Sequence, residues 1–559
     1  MKRFQARHAA PALSVLMALM LATGALAGSG RHDADSDAAD DSALTFDASN
    51  YTRVGVTIDG TYVPVRWYKN VCYVKQPVLM ATTQTGLGGA TQVIDNPQCG
   101  YQNLNIFVPE ASLNDPKTAL YLAVNNGGWM ASYQRASVTD GATLDSSTSN
   151  VGAALKAGYV YVDVATRGRN VVAADATYPG RSPAVVVDAK AAVRYLRLND
   201  ARMPGSAERI VVNGTSGGGG LVSILGASGN SPDYLPYLAA IGAAGIDKRG
   251  RSTLRDDVLA VVAYCPITDL GHADLAYEWL FTALNSRALA GTSNANPTAS
   301  AELASRFPAY QRSLGLRNAD GQRLTADNML ATIQAEVIRS AETAMRAGTT
   351  LPKLGESFTV SGMGGSKTYV NDWMDVDTTT QRVLSLDMTR YLAFVATQAT
   401  LKPTPAFDQS GLSVLTNPAG ESNLFGTPTQ LYSNFTDYSW NHNDKTDGVG
   451  LDETGLTWTQ FLRQPGTRVD EQIRLIDPLA FIGSQADTSP YWYVRHGTRD
   501  RDTAFTVSIN LSRALAADRK VADVNYRLAW NQPHAGNYDV PEAMAWVATV
   551  LKAAERRGR

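Results

Sequence analysis

Two hydrophobic periods alternate along this chain. Leu104–Val108, Ala119–Asn125, Tyr159–Ala165, Arg209–Asn213 and Val258–Tyr264 are short apolar or β-branched runs of strand length. Between them, Pro183–Leu198 sets Val185, Ala189, Ala192 and Leu196 on one helical face. The same rhythm returns near the C-terminus, with strands at Tyr491–Arg495 and Val524–Trp530 and helices at Thr503–Ala517 and Pro541–Ala553. The last helix carries start signals: Asp539 as N-cap, Pro541 in the first turn and Glu542 at the reciprocal capping position. Strands separated by helices predict an α/β fold with a mostly parallel sheet covered on both faces. Residues 270–475 break the rhythm. They are polar, helix-rich and interrupted by Gly/Ser/Thr/Asn clusters at 291–300, 359–368 and 408–423. They read as a large, mostly helical lid or insertion domain on a core formed by 46–269 and 476–559. No internal repeat is evident.

Composition changes this picture at the N-terminus. Lys2, Arg3 and Arg7 precede the apolar run Ala12–Ala22, which ends at Ala25-Leu26-Ala27. A positive n-region, a short h-region and an A-x-A site predict a cleaved secretory signal at 1–27 and a protein exported to the periplasm or the medium. No cysteine follows the cleavage site, which argues against a lipid anchor. Residues 28–45 are acidic and Ala/Ser-rich, and read as a disordered spacer. Removing the three basic residues of the signal takes the formal net charge from −2 to −5. Neither value supplies a field that would draw nucleic acid or an anionic membrane. In an oxidising compartment Cys72 and Cys99 can bridge, which would stabilise the fold by roughly 3 kcal/mol. Cys265, inside an apolar run, reads as a buried thiol; three free thiols are the alternative.

The chemistry lies at the ends of the strands. Gly214-Thr215-Ser216-Gly217-Gly218 is the only G-x-S-x-G in the chain, between the strand Arg209–Asn213 and a helix beginning near Gly217. That setting is the nucleophile elbow of an α/β-hydrolase, with Ser216 lifted to a helix N-terminus. A helix-capping serine in a Gly-rich turn is the plainer reading. Beyond the signal, the chain has histidines at 32, 272, 442, 496 and 534. His534 occupies the loop between the last strand and the last helix, where this topology places its base. His496 ends a strand, in a direction the sequence leaves open. The orienting acid belongs on the turn after Tyr491–Arg495. Asp500 fits, and Asp502 is its competitor, with an N-cap role as its own alternative. The order Ser216, Asp500, His534 is that of α/β-hydrolases. Oxyanion donors are expected from the Gly217 amide and from Gly127 or Gly128, in the turn after Ala119–Asn125.

Several runs together resemble one family, the bacterial tannases. They are Asn213-Gly-Thr-Ser-Gly-Gly-Gly219, Gly226-Ala-Ser-Gly-Asn230, Tyr264-Cys-Pro-Ile267 and His272-Ala-Asp-Leu-Ala-Tyr-Glu-Trp279. Pro405-Ala-Phe-Asp-Gln409, Asn423-Leu-Phe-Gly426, Arg495-His-Gly497 with Asp500-Arg-Asp502, and Gly536-Asn-Tyr-Asp539 complete the set. The resemblance implies an insertion domain that helps cover the site and cleavage of galloyl esters. It further implies that Asp502, Lys402 and Glu421 grip the galloyl hydroxyls. On sequence alone Lys402 and Glu421 are loop residues with no assigned role. The segment Leu79–Cys99 reads as an insertion relative to the family, and the stretches 420–422 and 435–469 also depart from its pattern.

The expected activity is a secreted serine esterase releasing gallic acid through an acyl-enzyme, without metal or cofactor. A feruloyl or other hydroxyaromatic-acid esterase with the same triad is the alternative within the class. A polyphenol- or carbohydrate-binding protein on a hydrolase scaffold is the alternative outside it. The expected partner is a small polyphenol ester, with no nucleic acid and no membrane after signal removal; oligomeric state is left open.

Overall fold

Ten segments pair into one sheet: β1 (Thr52–Ile58), β2 (Thr61–Cys72), β3 (Asn103–Pro109), β4 (Ala119–Val124), β5 (Thr143–Leu144), β6 (Val160–Val164), β7 (Ser206–Thr215), β8 (Ala260–Tyr264), β9 (Tyr491–Gly497) and β10 (Asp523–Ala529). The computed structural model describes residues 37–557, apart from 87–88, 95, 97, 134–135, 137, 292–295, 363–364, 409–419 and 443–453. The expected signal at 1–27 lies outside the described residues. Residues Ala39–Arg559 form one compact unit; of the unit Met1–Ala38 only the last two residues are described.

The strand order is β10-β9-β8-β7-β4-β6-β3-β2-β1-β5. From β10 to β6 every neighbouring pair is parallel. From β6 to β1 the pairs are antiparallel. The strands β1 and β2 were not read from the sequence, although their tight turn is a hairpin signal: Asp59 and Gly60 both take positive φ. Parallel register sets Val124, Gly214, Ala263 and Val494 side by side. The turns that follow these strands therefore open at one edge, where ligands bind in open α/β sheets.

Alternation along the central strands fills two cores. Leu120, Leu122 and Val124 face α2 (Ala184–Leu198) and α3 (Gly217–Ala227), whereas Ala119, Tyr121 and Ala123 face α1 (Asn150–Lys156) and α6 (Val540–Arg556). Between β8 and β9 the chain leaves the sheet. It builds α4 (Leu270–Ala283), the long helices Pro297–Ser313 and Ala326–Arg346, and two hairpins, Ser357–Gly362 with Gly365–Val370 and Met374–Asp377 with Arg382–Leu386. The Thr/Ser cluster at 359–368, read as an interruption, lies within the first hairpin. Its hydroxyls pair across the strands, Thr359 with Thr368 and Ser361 with Ser366. The chain returns to the sheet through β9, α5 (Phe505–Ala517), β10 and α6.

Two local expectations are corrected. The spacer does not extend to residue 45. Leu44 is buried in the main core, and the Asp41 carboxylate accepts from Lys75 and from the Gly245 amide. Asp539 precedes α6 but its side chain caps nothing. The phenols of Tyr264 and Tyr493 and the buried Arg495 guanidinium claim it instead. Glu542 likewise pairs with Arg495 and Arg527 rather than reaching back to the N-cap. Cys72, at the end of β2, is bridged to Cys99, with Cα atoms 5.6 Å apart.

The elbow helix α3 is braced from behind. Lys190 on α2 donates to the Ser228 carbonyl at the end of α3 and to Asp256, which also accepts from Arg194 at 3.2 Å and from the Asn230 amide. All three charged side chains are buried. Replacing Asp256 with Ala strands two buried cations, and is expected to cost about 3–5 kcal/mol in urea unfolding. A loss below about 1 kcal/mol would show that this brace is dispensable.

Candidate active site

Ser216 sits between β7 and α3 with φ 62° and ψ −123°, a conformation that L-residues adopt only under constraint. Its amide donates to the Tyr264 carbonyl of β8, and its own carbonyl accepts from Gly220 and Ile267. These three bonds hold the bend and turn the hydroxyl out of the sheet. Oγ lies 2.8 Å from His534 Nε2, and His534 Nδ1 lies 2.7 Å from Asp500 Oδ2. The loop after β10 supplies the imidazole and the turn after β9 supplies the carboxylate. Gly497, the last residue of β9, allows the two to meet: a Cβ there would stand 2.2 Å from the Gln532 carbonyl oxygen.

Asp500 is wholly buried. Its Oδ1 accepts the amides of Asp502, at 2.8 Å, and Thr503, at 3.4 Å. Its Oδ2 meets a second ring besides His534, that of His496, whose Nε2 is 3.2 Å away. Burial works against the charge, but the two imidazoles outweigh it and hold Asp500 well below the usual carboxylate range. For His534, burial disfavours the imidazolium, and the adjoining Asp500 more than reverses this, raising it well above an ordinary histidine. The pair is built to carry Asp−/HisH⁺, the charge state that forms when a serine gives up its proton. Asp502 does not compete for His534. Its carboxylate pairs with Arg501 at 2.6 Å.

The amides expected to face an oxyanion lie in two turns that touch. Gly217 opens α3, where its N–H has no helical acceptor. Gly127 and Gly128 open a short 3-10 turn after β4, with Gly128 at φ 58° and ψ 28°. A Cβ on Gly217 would lie 2.2 Å from the Trp129 nitrogen and 2.5 Å from the Asn126 oxygen. Arg169, unremarked in the sequence, binds the Gly128 carbonyl and the Gly420 carbonyl, joining this turn to the loop carrying Glu421.

Lys402 and Glu421, distant in sequence, converge on Phe407. The Lys402 ammonium lies 3.9 Å from the Phe407 ring centroid, and the Glu421 amide donates to the Phe407 carbonyl. Glu421 is buried at 4% exposure. The Tyr277 phenol links this group to the acid turn, accepting from the Lys402 amide and donating to the Arg501 carbonyl. Beneath, Asp274 accepts from the Phe407 and Asp408 amides, while Asp408 holds Asn434, Phe435 and Thr436. Burial, then the charge of Asp408, pushes Asp274 up to about 7. The sequence had no signal for this support, because it comes from α4 and from loops far along the chain.

Ligand atoms of Cys265, Asp500 and His534 lie within 4.8 Å of one another, the donor types of a metal site. Both His534 nitrogens are engaged in the serine–carboxylate chain, so an ion there would compete with it. A cavity of about 610 Å³ lies elsewhere, lined among others by Tyr178, Arg181, Tyr237, Phe461 and Gln472, and none of the nine expected site residues borders it.

Residues 104–306 match the BD-FAE family model. Among solved structures, the chain is similar to the Fusobacterium nucleatum tannase at 29% identity and a TM-score of 0.68, with 91% of this chain and 99% of that one covered. The tannin acyl hydrolase from Lactobacillus plantarum gives 29% identity, the same coverage and a TM-score of 0.67. A tannin acyl hydrolase in complex with ethyl gallate matches equally well, at 29% identity, the same coverage and a TM-score of 0.67. No curated protein matches. The chain is a structural homologue of bacterial tannases, with the fold of an α/β-hydrolase esterase.

Because Gly217 joins the elbow to the Gly127–Trp129 turn, Gly217→Ala should drive the two amide groups apart. The expected outcome is a folded protein whose kcat on a simple ester falls by about 100-fold. Retention of activity within about threefold would show that these amides do not act together.

Proposed function

We propose that this chain is a secreted serine esterase that cleaves galloyl esters. One observation carries the reading: the hydrogen-bonded line Ser216–His534–Asp500 in a fold shared with tannases. The Tyr277 phenol, which bonds the backbone of Arg501 and of Lys402, supports a substrate grip by Asp502, Lys402 and Glu421. In this reading His534 takes the Ser216 proton as Oγ attacks the ester carbonyl. The Gly217 amide, with Gly127 or Gly128, receives the developing oxyanion. His534 then protonates the departing alcohol. Water, deprotonated by the same imidazole, releases the acid from the acyl-enzyme. Three adjacent phenols suit a site with two carboxylates and one ammonium, since carboxylates accept from phenols and an ammonium donates to their oxygens. An ester lacking those phenols would leave buried polar groups unpaired. The signal-like segment at 1–27 supports export, and no described helix is long and apolar enough to cross a membrane.

Feruloyl esters are the second reading. It is favoured by the match to the BD-FAE model, a family that includes feruloyl esterases. Rates on methyl gallate, methyl protocatechuate, methyl ferulate and methyl benzoate separate the two. The galloyl reading expects gallate to be fastest and benzoate slowest, and equal rates on these two would sink it. Ser216→Ala should lose at least about 10⁴-fold in kcat, and surviving activity would overturn the mechanism.

The grip itself has its own test. Lys402→Ala is expected to lower kcat/KM for methyl gallate by roughly 10- to 100-fold, the size of one charged hydrogen bond, while sparing p-nitrophenyl acetate. An equal loss on both esters would assign Lys402 a purely structural part.

A further inference from the structure

His496 takes no part in the reaction described above, yet it lies at the centre of the site. It is wholly buried in β9, next to the strand's last residue. Its Nε2 stands 3.2 Å from the same Asp500 oxygen that His534 Nδ1 bonds at 2.7 Å, but out of line for a formed hydrogen bond. Its Nδ1 lies 2.8 Å from Ser508 Oγ on α5, and that oxygen lies 3.3 Å from the Tyr526 hydroxyl on β10. Hydrogen-bonding contacts thus run from Tyr526 through Ser508 to His496, and from Asp500 through His534 to Ser216, with the 3.2 Å approach of His496 to Asp500 between the two sets. A buried ring nitrogen aimed at a buried carboxylate oxygen, with no formed hydrogen bond among the described residues, calls for an explanation.

We propose that His496 is a positioning residue for Asp500: a small turn of its ring from the 3.2 Å approach lets Nε2–H donate to Oδ2, and Ser508 with Tyr526 fixes the tautomer that allows it. In this arrangement Tyr526 donates to Ser508, and Ser508 donates to Nδ1, leaving the ring proton on Nε2. The Phe505 carbonyl, 3.2 Å from Ser508 Oγ, is the competing acceptor. Were the Ser508 proton given to it, Nδ1 would have to donate to Ser508 instead. The shorter 2.8 Å contact to Nδ1 favours Ser508 donating to the ring.

The consequence concerns proton affinity. With two imidazoles on one oxygen, Asp500 spreads its charge over both and pulls less strongly on the His534 proton. Removing the His496 donor makes Asp500 more basic, and His534 then holds its proton to higher pH. Only neutral His534 can act as the base, so the acidic limb of kcat/KM moves up. Other groups face this pair as well. Cys265, a buried thiol from the turn after β8, adjoins His534 and Asp500, and Tyr538 adjoins Cys265. Behind His496, Tyr526 feels Glu336, Arg513 and Arg339. None of these is altered by substitution at 496.

The proposal rests on the serine-esterase reading, and its test separates the two. His496→Phe keeps the ring's bulk without the donor. It should lower kcat on p-nitrophenyl acetate by about tenfold, leave KM within about twofold, and raise the acidic limb by roughly half a pH unit. His496→Gln, whose amide can reach the same oxygen, should stay within about threefold of the parent, with the limb unmoved. Ser508→Ala, which keeps the imidazole, should move the limb in the same direction by less, and it decides the matter if the Phe variant does not fold. A downfield proton resonance of the His534–Asp500 bond, read in unliganded enzyme, should shift in the Phe variant and not in the Gln variant. That readout holds even if Ser216→Ala shows that the hydrolytic reading is wrong. Equal losses in the Phe and Gln variants, with an unmoved limb and resonance, would overturn the proposal.

Discussion

A single carboxylate without solvent contact organises this molecule. Asp500 carries a charge that burial alone would expel; two backbone amides of its own turn and the His534 imidazole bond it, and the His496 imidazole stands 3.2 Å away. Each donor comes with a geometric demand. The amides require the turn that follows β9 to close on itself at Asp502 and Thr503. His496 requires β9 to end in register with β8 and β10, and His534 requires the loop after β10 to lie across Gly497. Satisfying the charge therefore sets the relation between β9, β10 and α5, and it leaves His534 aimed at Ser216.

The parallel sheet is what lets such separate segments share one charge. In parallel register the strand ends are level, so the turns after β4, β7, β8, β9 and β10 emerge at one edge. The elbow, the amide turn, the acid and the base are each the first few residues after a strand. Backbone hydrogen bonds place them, which gives a precision that side-chain packing alone would not. The residues between β8 and β9 add a second layer, less regular and richer in buried charge. There Asp274 and Asp408 act as acceptors for loop amides, doing for Phe407 and the 434–436 segment what a sheet does for its strands. This explains how a region low in regular structure brings Lys402 and Glu421 to the same residue, Phe407.

Legibility in the sequence followed the range of the interaction. The strands β3, β4, β6, β8 and β9, and the end of β7, showed as apolar runs because both their faces are buried; β10, half exposed, showed only in its alternation. β1 and β2 did not, since they are half exposed and their alternation is mixed, although Asp59-Gly60 was a usable turn signal. The elbow was visible because its chemistry is local: small residues on either side of a serine, between a strand and a helix. Asp539 misled, since its position before α6 suits an N-cap while its real partners, Tyr264, Tyr493 and Arg495, come from neighbouring strands. The same limit hid Arg169 and Asp274, which bond Gly420 and Phe407, more than a hundred residues away.

What the sequence determined by itself was the class of fold, the elbow at Ser216 and the order of the groups that accompany it. These depend on periodicity, turn chemistry and chain order, all of which are written along one dimension. Only the tertiary structure decided that His496 rests on Asp500, that Asp502 turns to Arg501, and that Lys402 and Glu421 share Phe407. A buried charge takes its donors from whatever elements the sheet brings within about 3 Å. Spacing along the chain carries no record of that distance until the strands have paired.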